Sequence, residues 1–313
     1  MTWVRGLARH TSLLNAGTEW HWPIGALALL GILAFNFWMG MALHWDYSYP
    51  LHVDEWIHFA HTQEMQHSGS LTYPAPFSQG AVSYHYEFGF HVLLGFVEQL
   101  TGLSWKELYR IAPGLQMSLL ALSVYALGAR SGFGWAAALL IPLVPTSIRT
   151  LGPSFLVPVT TALIFIPVTL MVIFATERRG TRESLLPLLV LVAGTLFIHP
   201  TTEGVVMALA GTALAFLVAE SLTSGRYREA GKLVVGIGVR IAIPVLFLGI
   251  WLPAVIPQVL ELSVPVDQFP GGSGSPELEM KWGTMVGLLG FHQGFFNAFG
   301  LVGVGLFIVG LIQ

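Results

Sequence analysis

The stretch DEWIHFAHTQEMQHSG, residues 54–69, is followed after a Pro-rich break by YHYEFGFH, residues 84–91. Charged residues make up only 10% of this chain, yet Asp54, Glu55, His58, His61, Glu64, His67, His85, Glu87 and His91 are gathered here. In a helix starting near Val53, Asp54, His58 and His61 recur at spacings of four and three and share one face, while Trp56, Phe59 and Ala60 turn elsewhere. The pattern predicts a helix lying on a membrane surface, with Asp54 at its N-terminal end, where free N–H groups and the helix dipole favour a carboxylate. A second helix carries Glu87 and His91 at spacing four.

What surrounds this stretch is membrane-like. Hydrophobic residues are 54% of the 313, mean hydropathy is +0.69, and apolar runs long enough to span a bilayer recur. The chain reads as an all-α polytopic membrane protein. A net charge of -3 and the lack of a basic stripe exclude nucleic acid as a partner. With no cysteine there is no disulfide, thiolate metal site or Cys nucleophile. The first apolar run, Pro23 to Leu43, lacks a small-residue cleavage site and reads as a retained signal anchor.

Orientation follows from charge. Arg5 and Arg9 precede the first span and Asp46, Asp54, Glu55 and Glu64 follow it, which places the N-terminus in the cytoplasm and the cluster outside. Two basic loops, one with Arg178, Arg179 and Arg182 and one with Arg226, Arg228 and Lys232, belong inside. Both fall inside only if Tyr86 to Leu103 does not cross the bilayer. Residues 1–22 are then cytoplasmic and residues 23–313 a transmembrane domain of about eight spans, with external loops at 44–107 and 258–282. The spans are expected near 23–43, 111–129, 133–145, 155–175, 185–198, 202–219, 233–256 and 286–312. One outer surface thus collects the acid and histidine loop, Arg149, the turn with His199 and Glu203, and Lys281 in a Gly- and Ser-rich loop.

Two carboxylate–histidine pairs, Asp54 with His58 and Glu87 with His91, offer ligands for a divalent ion, magnesium or manganese by the acids and zinc by the imidazoles. No HExxH, Gly-rich phosphate loop or nucleophile elbow is present. The bland reading of the same residues is a capping Asp54, a solvated row of histidines and a snorkelling Arg149.

The Asp54-Glu55 pair after the first span, the helix ending in His67-Ser68-Gly69, the Tyr73-Pro74 turn, the Tyr84-His85-Tyr86-Glu87 junction and the non-spanning second helix together resemble the GT-C class of membrane glycosyltransferases. That class includes arabinosyl, mannosyl and oligosaccharyl transferases of the cell envelope that use polyprenyl-phosphate sugar donors. The resemblance covers roughly the first 180 residues as architecture and is sharpest in the first external loop. It implies a GT-C-like helix bundle with external juxtamembrane helices, a site on the extracytoplasmic side, and a catalytic acid in the Asp54-Glu55 motif, with the role transferring to Asp54 and Glu55 as the second catalytic candidate. It further implies that Glu87 matches a second acid some members place at the entry of the following helix, and Arg149 a basic residue after the next external crossing. The oligosaccharyl branch carries another acidic motif where this chain reads Arg149 to Ser154, a departure that bears on metal dependence.

A lipid phosphate leaves readily, so such a site needs mainly a base and a cation. Asp54 is the expected base, Arg149 or Lys281 the expected phosphate cation, and His58, Tyr84, His85, Glu87, His91, His199 and Glu203 the expected lining of the sugar site, with inversion at the anomeric carbon. Relatives of this class continue beyond the point where this chain stops inside an apolar run, so either a truncated C-terminus or a partner protein completing it is expected. The rivals are a non-catalytic subunit of a membrane complex and a transporter. A transporter would show ionisable residues within its spans, and none stands out in the sequence.

Overall fold

A computed structural model describes residues 21–47, 49–77, 80–82, 85–129, 132–143, 152–174 and 181–262. Tyr84, Arg149, Lys281, most of the loop at 258–282 and the last expected span lie outside the described residues. Within them the chain is helical apart from a hairpin of two two-residue strands, β1 (Tyr73–Pro74) and β2 (Ala81–Val82), paired antiparallel with Tyr73 opposite Val82. The helices are α1 (His21–Ala42), α2 (Val53–Ser68), α3 (Phe88–Thr101), α4 (Trp105–Ala129), α5 (Gly134–Leu140, continued by a 3-10 turn Ile141–Leu143), α6 (Pro158–Leu163), α7 (Phe165–Ile173), α8 (Thr181–Ile198), α9 (Pro200–Thr223) and α10 (Tyr227–Leu262).

Four of these are long and apolar enough to cross a membrane: Ile24–Ala42, Trp105–Ala129, Pro200–Thr223 and Tyr227–Phe247. Shorter apolar helices cover Gly134–Leu143, Pro158–Ile173 and Glu183–Ile198. The result is an all-α protein of membrane character. Of the run expected to span at 133–145, the described part, Gly134–Leu143, is helical over about 15 Å at 1.5 Å per residue, half of the roughly 30 Å of a hydrocarbon core. Helix α3, 14 residues, is about 21 Å and is too short to cross.

Glycine lets two of the long helices meet closely. A Cβ at Gly40 would stand 2.6 Å from the Pro113 carbonyl oxygen, and one at Gly114 2.7 Å from that of Phe37, so α1 and α4 touch backbone to backbone. Asn36 of α1 donates to the Ala138 carbonyl of α5 (3.2 Å). Two apolar cores result. One joins α7, α8, α9 and α10 through Ile173, Leu188, Val192, Val206 and Ile237. The other, Phe90, Leu94, Leu108, Tyr109, Leu156 and Ile198, lies beneath α3 and seats it on α4, α6 and α8.

Helix α3 leaves one end of the bundle and returns to it. Phe59 of α2 packs edge-on against Trp105 and Tyr109 at the start of α4, while His58 of α2 meets His91 near the start of α3 at 3.1 Å. Residues of α3 and of the start of α4 therefore both meet α2. The spans are less apolar than the sequence suggested: Glu203 of α9 and Arg240 of α10 are both buried. Arg240 is used internally, donating to the Ser184 hydroxyl (3.0 Å) and the Ile173 carbonyl (3.4 Å) where α7 and α8 adjoin it.

Candidate active site

The start of α2 is fixed by a reciprocal cap. The ring nitrogen Nδ1 of His52 accepts from the Asp54 N–H (3.2 Å), and the Glu55 carboxylate accepts from the N–H groups of His52 (3.1 Å) and Leu51 (2.7 Å). The cap residue is thus His52 and not Asp54, which stands inside the first turn. The other Glu55 oxygen accepts from the Leu156 N–H at 2.7 Å, and the Tyr109 hydroxyl donates to the Glu55 carbonyl at 3.2 Å. Glu55 is fully buried with its carboxylate taken up by three backbone donors. It ties three segments together and has little left to offer a substrate.

Asp54, one residue earlier, is half-exposed and lies 3.5 Å from His52 Nδ1. Its charge is felt across the site at Tyr86 and Glu87. Glu87 is 4% exposed, with one oxygen 3.5 Å from His199 Nε2 and the other 3.9 Å from His58 Nε2. The His199 ring is held from behind by the Thr202 hydroxyl, 2.7 Å from Nδ1. Gly89 permits this approach, because a Cβ there would come within 2.6 Å of Phe197 and push α3 off the end of α8.

Beside His58 stands a cluster of further imidazoles. The rings of His61 and His85 are 4.9 Å apart, those of His85 and His91 4.8 Å, and those of His61 and His91 5.6 Å. Nδ1 of His61 meets the hydroxyl of buried Tyr73 at 3.0 Å, which is the hairpin's contribution. The expected pairs along each helix, Asp54 with His58 and Glu87 with His91, do not form among the described residues. The pairing runs between elements instead, His58 with His91 and Glu87 with His58 and His199.

Burial decides the charge state of this pocket. Desolvation, with help from neighbouring rings, pushes His58 and His85 down to about 3 and holds His91 well below the usual imidazole range. Burial alone holds His61 and His199 at about 4. Glu87 is pushed up to about 8, by burial first and by the Asp54 charge, with a hydrogen bond from Tyr86 pulling the other way. At neutral pH the interior is therefore uncharged, with a protonated Glu87 able to donate a hydrogen bond and Asp54 at the rim. The buried Nδ1 of His91 has no partner among the described residues, nor has either carboxyl oxygen of Glu203, one turn beyond His199.

Such donors suit a metal in type, but not in arrangement. Among the described residues no three acids or histidines are grouped to hold an ion. His58 and His91 turn the nitrogens that would serve toward each other. A groove between α2 and α3, lined by Met65, Gln66, Val92, Gly95 and Phe96, lies further along both helices and carries no titratable lining group.

Sequence reasoning placed Asp54, His58, His85, Glu87, His91 and His199 at one site, and the structure brings them to one end of the bundle. It left His61 out of the sugar-site lining, although the spacing with Asp54 and His58 contained that signal, and it gave Glu55 chemistry where the geometry gives it a clamp. A family model described as "Family of unknown function (DUF6541)" matches residues 2–277, and the chain belongs to that family. No curated protein and no solved structure matches it.

Proposed function

We propose that this member of a family without an assigned function is a GT-C-like membrane glycosyltransferase, moving a sugar from a polyprenyl-phosphate donor to an acceptor hydroxyl on the extracytoplasmic side. The observation that carries the reading is the division of labour between two carboxyl groups that share a site: a half-exposed Asp54 at the rim and a buried Glu87 held neutral beside His58 and His199. Acid and base roles separate when environments push two such groups apart. The shared end of α2, α3 and α8, next to helices able to cross a membrane, supports access from the lipid surface.

In this reading the Asp54 carboxylate takes the proton of the acceptor hydroxyl as its oxygen attacks the anomeric carbon. The bond from that carbon to the phosphate oxygen breaks, its electron pair leaves with polyprenyl phosphate, and the configuration inverts. Protonated Glu87 donates a hydrogen bond to a sugar hydroxyl, and the neutral imidazoles of His58, His85 and His199 accept or donate to the others. Glu55 positions Asp54 by fixing the first turn of α2. Arg149 and Lys281 remain the cations proposed for the phosphate.

The test is transfer by the purified protein from a panel of polyprenyl-phosphate sugars. Asp54→Asn should leave folding and donor binding in place and lower the rate by about 100-fold or more, the scale for losing a general base. Turnover within about threefold of wild type would remove Asp54 from the chemistry. A failure of every donor to turn over would favour the non-catalytic subunit.

A further inference from the structure

A second polar feature sits across α2 from the histidine pocket and plays no part in the chemistry above. Lys106 and Arg110, one helical turn apart at the start of α4, are both at the end of the bundle where that pocket lies. By the charge rule this end faces outward, where cations are scarce. Neither is paired with a carboxylate among the described residues. Neighbouring Glu107 is engaged by the backbone and hydroxyl of Ser104. Asp46, beside Trp45, is exposed and forms no ion pair with them.

Each cation lies over an aromatic ring instead. The Lys106 ammonium is 4.8 Å from the ring centre of Tyr49, and the Arg110 guanidinium 5.2 Å from that of Trp45. These rings are themselves open to the surroundings, Trp45 at 53% and Tyr49 at 42% exposure. Tyr49 continues into a stack, 5.7 Å from Tyr47 and 6.2 Å from Trp56. Trp45 follows within three residues of the end of α1 at Ala42. The patch therefore marks the level at which two helices able to cross a membrane, α1 and α4, emerge together. Tryptophan, tyrosine and basic side chains concentrate at the headgroup level of a bilayer.

We propose that Lys106 and Arg110, framed by Trp45 and Tyr49, bind the phosphate of an anionic phospholipid in the outer leaflet and so seat α2 and its pocket on the membrane. Two unpaired cations one turn apart supply the charge for a phosphodiester, and the aromatic floor supplies the amphipathic surface for the glycerol and upper acyl chain. The site is separate from the pocket, since Trp56 lies on the other side of α2 from Asp54, His58 and His61. It stands whether or not the protein transfers sugar.

Native mass spectrometry of the detergent-purified chain with added phosphatidylglycerol, phosphatidylcholine or polyprenyl phosphate tests this. Wild type should retain phosphatidylglycerol in preference to phosphatidylcholine, and Lys106→Gln/Arg110→Gln should lower that retention about 30-fold, the scale for two basic groups at a lipid surface. Arg226→Gln, at a different loop, should leave it unchanged. Inorganic phosphate should not compete, because the aromatic floor contributes nothing to a free anion. Equal retention of phosphatidylglycerol by wild type and the double variant would overturn the proposal. Equal retention of the two phospholipids by wild type would do the same, and loss of polyprenyl phosphate alone in the variant would overturn it in favour of the carrier lipid. Should the double variant fold poorly, Lys106→Gln alone and the rise in wild-type melting temperature with added phosphatidylglycerol decide the same question.

Discussion

Glu55 and Glu87 are both buried carboxyl groups within one short stretch of structure, and they are treated in opposite ways. Glu55 receives three backbone N–H groups from Leu51, His52 and Leu156, so its burial is compensated bond by bond. Glu87 has no backbone donor to its carboxyl among the described residues, only a hydrogen bond from Tyr86 and imidazoles at 3.5 and 3.9 Å that burial keeps neutral, and it responds by holding its proton up to about 8. A satisfied buried acid is part of the scaffold, while an under-satisfied one costs stability and keeps its hydrogen-bonding capacity for something else. The same contrast separates Thr202, which holds His199, from Glu203 and the His91 Nδ1, which hold nothing among the described residues.

The largest effect expected from this contrast is on the clamp. Glu55→Ala strands three donors, each worth roughly 1–3 kcal/mol when buried without a partner. The variant should therefore lose most of its stability and accumulate poorly, as measured by monodisperse yield and melting temperature in detergent. A variant that melts within a few degrees of wild type would show that the first turn of α2 is held by something other than Glu55.

A smaller and graded effect follows from the histidines. Their folded values, about 3 to 4, lie below the ordinary 6.5 of the unfolded chain. Below pH 6.5 the unfolded chain therefore takes up protons that the folded protein refuses, and stability present above that pH is lost as pH falls toward 4. Glu87 acts with the opposite sign, because its folded value of about 8 exceeds the unfolded 4.5 and stability falls as pH rises between them. Between 4.5 and 6.5 the several imidazoles outweigh the single acid. Melting temperature should drop from about pH 7 to about pH 5, and His85→Gln should flatten the drop. A flat profile would mean that the imidazoles reach water and that the pocket is not dry.

These contrasts also explain what the sequence could and could not reveal. Spacing of three and four put Asp54, His58 and His61 on one face, and the apolar runs marked the long helices, because both signals are local. The pairing of Glu87 with His199 is not local: it depends on Gly89 letting α3 press against Phe197, and neither residue advertises that contact. Glu55 looked chemical because a carboxylate next to Asp54 reads the same whether its oxygens are free or occupied. Its third donor comes from Leu156, a hundred residues away. Lys106 and Arg110 were passed over because a basic pair at a helix start is ordinary until the rings beneath it are seen.

The pairing of a neutral Glu87 with Asp54 is tested by the pH dependence of sugar transfer in wild type and in Glu87→Gln. If protonated Glu87 donates to the bound sugar, wild-type turnover should hold through neutral pH and fall as pH rises past about 8, where the buried carboxyl gives up its proton. Glu87→Gln, which can still donate but cannot ionise, should keep turnover within about tenfold of wild type at neutral pH and lack the alkaline fall. An alkaline fall that survives unchanged in Glu87→Gln would contradict the assignment of Glu87 as the neutral partner of Asp54.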